Sequence, residues 1–439
     1  MSTEANPYRP PAESDPPPDR EPASGPVSAP ILSRPAAWAL ALTATLTMSV
    51  SYIDRQTLAA IAPSVQKALS IPDRAYGDLV SAFSIAYLVG APAAGFLIDR
   101  IGARRGLLGA VLLWSLVAGM HALVPTFAAL FALRIALGLA ESPSFPGAAQ
   151  TVHRALPPGD RARGFGVLFT GSSIGSMIAP PLATYLADRY GFRAAFLGTA
   201  LAGLLWVPLW LRVAYADKAR RALDHHDTAP GPRLSAAAMV RHPAVLRSML
   251  VVLASAPLLS LLFNWATKLL VHDHHLTQRQ TGHYLWLPPL FFDGGAILFG
   301  HLASVARARG HGDGGVPRPL LAAACLTMLA GAAIPFAPTP ELVVAAACVT
   351  MIGGGGLYAL PMSDVASRVP PTAVATAGGL CAAAQSVAHI VANPMIGRSV
   401  ERHGSYAFIV LALTFWVIPG CVGWLLWKPP PVWRAPEAT

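Results

Sequence analysis

Arg134-Ile135-Ala136-Leu137-Gly138-Leu139-Ala140-Glu141 lies inside a run, residues 127 to 152, that is otherwise fit only for lipid. Arg134, Gly138 and Glu141 are spaced i, i+4, i+7, so on a helix they share one face, with the two charges about 10 Å apart along the axis. Ionisable side chains at that depth are costly and by default functional. One face of this helix therefore looks into water or protein. Two more ionisable groups sit in similar runs: Asp54-Arg55 in the first apolar segment and Asp293 in the eighth.

The rest of the chain has the composition of a membrane protein. Of 439 residues, 54% are hydrophobic and only 12% charged, outside the balance of ordinary soluble domains. Stretches long enough to cross a bilayer as helices, about twenty residues each, are read at 36–60, 75–98, 106–124, 127–152, 164–187 and 194–213. Six more follow at 247–271, 284–304, 319–337, 341–363, 373–397 and 406–427. The fold class is an all-α membrane protein of twelve transmembrane helices in two six-helix bundles. Its parts are a disordered tail (1–34), an N-terminal bundle (35–213), a charged linker rich in Pro and His (214–246), a C-terminal bundle (247–428) and a short tail (429–439).

Cytoplasmic loops keep the excess of Lys and Arg. The five loops after even-numbered spans hold 17 of them and the six alternate loops hold 7. Both termini and the linker are therefore expected in the cytoplasm. The net charge of +10 is mostly this asymmetry, so no nucleic-acid partner is needed. The tail, rich in Pro and acidic residues, does not read as a cleaved secretory signal. Cys325, Cys348, Cys381 and Cys421 all fall within spans and read as small core residues. His272-Asp273-His274-His275 lacks the spacing of a closed metal site. Gly353 to Gly356 lacks the Lys-Ser/Thr of a phosphate loop and reads as a place where helices approach closely. No cofactor is implied.

The turn after the second span, Gly95-Phe96-Leu97-Ile98-Asp99-Arg100-Ile101-Gly102-Ala103-Arg104-Arg105, resembles the loop signature of the major facilitator superfamily. Its counterpart in the second half, Gly300-His301-Leu302-Ala303-Ser304-Val305-Ala306-Arg307, has Ser304 where the first half has Asp99. Ser51-Tyr52-Ile53-Asp54-Arg55, the Arg134–Glu141 run, and Gly171-Ser172-Ser173-Ile174-Gly175 followed by Pro180-Pro181 are similar to the anion:cation symporter family. Tyr284-Leu285-Trp286-Leu287-Pro288 running to Asp293-Gly294, and Leu360-Pro361 with Asp364, are most similar to its bacterial hexuronate and aldohexonate transporters. Trp265-Ala266-Thr267-Lys268 is similar to that group's seventh-helix pattern but lacks its Pro.

Residue chemistry supplies candidate roles. Arg55 is always charged and offers paired donors that match a carboxylate; the alternative is a side chain snorkelling at the interface. The resemblance implies a cavity position that holds the substrate carboxylate. Asp54 and Glu141 are candidates to exchange protons during the cycle, with Arg134 tuning one of them and competing as its partner; the alternative is a static ion network. The resemblance also places Tyr87 on the substrate, where a phenol can donate to and accept from a sugar hydroxyl; packing is the other reading. Ser172 and Ser173 are hydroxyl contacts or merely small residues between helices. Gln385, with His389 and Asn393, forms a polar stripe that faces the cavity or bonds neighbouring helices. Lys268 attracts substrate or snorkels. The resemblance further implies that Asp99, with Arg100, Arg104 and Arg105, stabilises a state closed on the cytoplasmic side.

The reading is a bacterial inner-membrane secondary transporter that carries an organic anion, a sugar acid such as a hexuronate or aldohexonate, inward with protons by alternating access. Its partners are a small carboxylate, protons and the bilayer. The competitors are a symporter or exporter of another carboxylate, dicarboxylic or aromatic, and a transporter-like receptor that signals without transport. An enzyme is disfavoured, because no nucleophile with base and no metal set is legible.

Overall fold

The computed structural model describes residues 32–224, 239–309, 315–370 and 373–432. Most of the expected N-terminal tail, residues 225–238 of the linker and the end of the C-terminal tail lie outside these. The described residues contain twelve helices long and apolar enough to cross a membrane. They are α1 (Arg34–Ala60), α2 (Asp73–Ile98), α3 (Ala103–Leu123), α4 (Phe127–Ala155), α5 (Arg163–Tyr190), α6 (Phe192–Ala214), α7 (Pro243–Asn264), α8 (Gln278–Ala308), α9 (Arg318–Phe336), α10 (Pro340–Arg368), α11 (Thr376–His403) and α12 (Ala407–Leu426). Each expected span has its helix, because in hydrocarbon a backbone segment must satisfy its own polar groups.

Proline and glycine shape these rods where they matter. The run of α4 is interrupted at Ser142–Pro143, directly after Glu141. Pro143 and Pro146 each lack an N–H, which weakens the ladder at that point. α8 is likewise interrupted at Leu285–Trp286, ahead of Pro288 and Pro289. The seventh helix breaks at Trp265, so its outer part, Ala266–His274, is a separate short helix. The expected 247–271 span was too long for that reason. Gly353 to Gly356 serve close packing: a methyl on Gly355 would collide with the Phe292 carbonyl of α8, and one on Gly353 with the α9 backbone at Met328.

Helices pair within each half, α1 against α5 and α6, α8 against α10, and α7 against α11 and α12. The halves meet chiefly through α2 against α11 and α5 against α8. α6 leads into a short linker helix, Asp217–Asp224, that packs on the ends of α3 and α4. That side of the molecule is called the linker end below, and the opposite side the far end.

Candidate functional site

α1 and α4 bring the first charges together. Arg55 Nε donates to Glu141 Oε2 at 2.6 Å, and Ser51 Oγ donates to the same oxygen at 2.7 Å. Ser51 and Arg55 are one turn apart, so both reach the same acceptor on α4. Aromatic rings surround the guanidinium: Tyr52, Phe83 and Tyr87 have centroids 4.8, 4.9 and 4.5 Å from its central carbon. Rings stacked on a cation hold it in one place while leaving its edge donors usable.

Asp54 and Arg134 stand apart from that pair. Asp54 is buried, and neither carboxylate oxygen has a hydrogen-bond partner. Arg134 is also buried, with Nε and Nη1 unpartnered and the Phe83 ring 4.9 Å away. In this state Glu141 pairs with Arg55, and Arg134 is in no ion pair among the described residues. Arg134 and Glu141 do share a helix, but α1 approaches closer to the Glu141 end of it.

The second half enters through α8. Ser173 Oγ of α5 donates to Asp293 Oδ1 at 2.6 Å, a bond between the halves. Tyr358 of α10 packs at a tilt against Phe292, ring centroids 5.9 Å apart. Arg55, Tyr52 and Tyr87 are thus gathered in the first half, and Ser173 of that half joins it to Asp293 of the second.

Other candidates fall elsewhere. Ser172 Oγ donates to its own helix, to the Phe169 carbonyl at 2.7 Å, and is half-buried. Gln385 is half-buried on α11. Asn393 of the same stripe is structural: its Oδ1 accepts from Ser260 Oγ at 3.1 Å and Trp265 Nε1 at 2.9 Å. Lys268 is at the far end, ion-paired with Asp73 of the other half and set over the Tyr76 and Trp265 rings. It closes the molecule there and is not beside Arg55.

The side chain of Asp99 lies outside the described residues, and Arg100 and Arg105 are exposed. Arg104 is buried and committed within its own half. It donates through Nε and Nη2 to the two oxygens of Asp224 at 3.1 and 2.6 Å, and lies over the Tyr215 ring. In this state it is a clamp on the linker helix and joins no second half.

Residues 44–391 match the Major Facilitator Superfamily. The chain belongs to that family. Its fold is that of a transporter, and the curated relatives are named as transporters, so this facilitator is not an enzyme. It is 26% identical over 278 residues to a galacturonate transporter of Dickeya chrysanthemi, matching 60% of this chain and 81% of that one. The same identity holds for a hexuronate transporter of Escherichia coli, of which 64% is matched. A probable galactarate/D-glucarate transporter of Bacillus subtilis is 31% identical over 187 residues, 41% of each chain. Among solved structures, a bacterial homolog to the human lysosomal transporter Spinster, inward-facing and occupied, superposes with a TM-score of 0.76 at 16% identity. That match covers 90% of this chain and 97% of the other.

Tyr52 and Phe83, both around the Arg55 guanidinium, were not among the sequence candidates. Tyr52 is three residues before Arg55, a spacing that puts both on one helix face. Phe83 is four before Tyr87 on the same principle, and its ring lies 4.9 Å from both the Arg55 and Arg134 guanidinium carbons.

Proposed function

We propose that this facilitator is a proton-coupled symporter of an organic anion, a sugar acid of the hexuronate or aldohexonate type, working by alternating access. The observation that carries the reading is the Arg55–Glu141 pair beneath three aromatic rings, with the unpartnered Asp54 beside it. A substrate carboxylate and Glu141 are chemically the same kind of partner for a guanidinium. Glu141 takes only Nε and leaves Nη2 unpartnered, so a substrate carboxylate that engages the Nε and Nη2 donors together competes with it for that edge.

Substrate arriving at Arg55 therefore displaces Glu141, which is buried and has a free second oxygen. A carboxylate left without its cation in such a place is far cheaper to bury with a proton than without one. Asp54 is already placed so, and serves as the neighbouring proton acceptor and donor. Coupling then follows from competition for one cation. Tyr52 and Tyr87 supply ring faces and hydroxyls for a polyhydroxylated body, a role consistent with relatives named for galacturonate and hexuronate.

The Lys and Arg bias supports an orientation with the termini and linker on the cytoplasmic side, in a bacterial inner membrane. On that orientation the linker end is the inside, and the present state, closed at the far end, is inward-facing.

The test is uptake of labelled galacturonate into proteoliposomes with an imposed pH gradient. Wild type should accumulate it. Glu141→Gln should lose gradient-driven accumulation yet retain exchange of internal for external substrate. Undiminished accumulation by Glu141→Gln would remove Glu141 from the coupling, and Arg55→Gln with unaltered substrate affinity would remove the anchor.

A further inference from the structure

Asp293 is a carboxylate with no role in the mechanism above. It is half-buried in α8, and its one hydrogen-bond partner is Ser173, a buried hydroxyl of the opposite half. Its surroundings are otherwise aromatic and small: Phe292 beside it contacts Phe263 and Tyr358, and a methyl on Gly294 would meet nothing within 4 Å.

Its depth relative to Arg55 follows from the packing of α1 on α5. Gly175 sits against Ser49 and Tyr52, and Gly171 against Thr45 and Met48, so the two helices run in the same direction with Ser173 near the level of Ser49. Arg55 is about six residues further along, roughly 10 Å at 1.5 Å per residue. Its guanidinium leans back over Tyr52, as helical side chains lean toward their own N-terminus. Anchor and acid are thus separated by a distance comparable to an extended six-carbon acid.

The buried cations described in the second half are engaged elsewhere. Lys268 is bound to Asp73 at the far end, and Arg247 and Arg368 share Asp364 within their own bundle. The α1 side thus holds the Arg55 cation that a substrate carboxylate would take over from Glu141, and the α8 side holds an acid with no cation partner among the described residues.

We propose that Asp293 is a charge filter that repels a second carboxylate, so that the substrate is a hydroxylated monocarboxylate, a hexuronate or aldonate, and not a dicarboxylic aldarate. The inference rests on the sugar-acid reading above and sharpens it, because relatives at similar distance are named for each class. At the hydroxyl end of a monocarboxylate, Asp293 and Ser173, whose one proton already goes to Asp293, offer acceptors to which a sugar hydroxyl donates. A terminal carboxylate there has only Ser173 as donor and faces a like charge, an arrangement that interfaces use to reject wrong partners.

The experiment compares affinities for two matched pairs, galacturonate with galactarate and hexanoate with adipate, in purified wild type, Asp293→Asn, Asp293→Ser and Ser173→Ala. Wild type should favour the monocarboxylate of each pair by about tenfold or more, a size reasonable for one like-charge contact. Asp293→Asn, close in shape and still able to accept from Ser173, should bring galactarate to within about threefold of galacturonate by strengthening galactarate binding. Asp293→Ser serves the same purpose should the Asn variant not be monodisperse. Ser173→Ala keeps the charge and should keep the preference.

An unchanged ratio in both Asp293 variants, or a wild type that prefers the dicarboxylates, overturns the filter. If neither sugar acid binds but the hexanoate-to-adipate ratio moves with Asp293, the sugar-acid reading falls and the filter stands. Failure of all four ligands to bind wild type removes both.

Discussion

At the far end the bonds cross between halves, whereas at the linker end the strong ones stay within a half. Lys268 with Asp73, Arg74 N with Glu401 (2.7 Å), Tyr76 with the Asn264 carbonyl (2.8 Å) and Arg279 with Asp188 (2.9 Å) all join the two bundles at the far end. At the linker end Arg247, Asp364 and Arg368 are knit inside the second bundle, and Arg104 with Asp224 inside the first. Glycines follow the same division. A methyl on Gly77, Gly282 or Gly397 would strike the other half, while one on Gly95, Gly166, Gly300 or Gly379, toward the linker ends of α2, α5, α8 and α11, meets nothing within 4 Å. Bonds between halves that rock must break in each cycle, and partly exposed pairs of modest net strength suit that task. Bonds within a half need never break and can be buried.

Asp364→Asn should have the largest effect, and on stability. Asp364 is fully buried between Arg247 (2.8 Å) and Arg368 (3.0 Å), and its Oδ1 also accepts from Val316 N. Removing the carboxylate leaves two buried guanidiniums without their anion, a loss of about 3–5 kcal/mol. A fall in melting temperature of the detergent-purified protein is the readout. A melting temperature equal to wild type would mean that these charges are solvated and that the contrast between the ends is wrong.

Lys268→Met should act on the conformational equilibrium and leave stability nearly unchanged. It deletes one cross-half pair but keeps an apolar stem over Tyr76 and Trp265. A shift of about tenfold toward the state open at the far end corresponds to about 1.4 kcal/mol, within reach of a partly buried pair. Spin labels on the far ends of α2 and α11 would report it as a longer-distance population. No change in that distribution would show that the far end is held by packing at Gly77 and Gly397 alone.

These two pairs also show what could be read without coordinates. The twelve spans were legible because hydrophobic length is set by the bilayer, and the Gly353–Gly356 run because small residues in a span have few uses. The charges were harder. Arg247 and Arg368 were counted with loop cations, since a charge at the end of an apolar run reads as the start of solvent. The i, i+4 spacing of Asp364 and Arg368 was the available signal that the span continues through them. Glu141 was set with Arg134 because helical periodicity relates residues on one rod. Which neighbouring rod comes closer is a tertiary fact, and Ser51 and Arg55 on α1 decide it. Lys268 has its partner, Asp73, 195 residues away in the other half, which no local pattern reveals.

Within the first half, the Arg104–Asp224 clamp should respond to acid over a defined range. The hydrogen bonds from Arg104, and then its charge, hold the Asp224 carboxyl below the usual carboxylate range. A group lowered on docking stabilises the docked form above its free value, near 4, and loses that contribution as pH falls through the lower docked value. Amide exchange in residues 217–224 should therefore be protected equally, after correction for intrinsic rate, from pH 5 to 8, with protection lost only below about pH 4. Arg104→Gln should reduce protection throughout, by at most about 1 kcal/mol because Asp224 is substantially exposed. A loss of protection between pH 6 and 7 in wild type would assign the clamp to a different group.

The smallest equilibrium effect is expected at Gly300, and it separates the two ends along a single helix. Gly282 and Gly300 are both in α8, yet only the first touches the other half, at Thr184 and Pro180. Gly300→Ala adds a methyl into open space and trades a poor helix former for a good one, so the present state should be unchanged or stabilised by at most about 1 kcal/mol. Alternating access requires the opposite state, in which the linker ends of α5 and α8 come together as their far ends do now. There the same methyl has to be accommodated between helices, and a helix packed through glycine resists it. Gly300→Ala should thus melt at or slightly above the wild-type temperature while its exchange rate falls severalfold. If melting and exchange both match wild type, the linker ends do not close on each other through this face of α8, and the two ends of the molecule are not exchanged by the transport cycle.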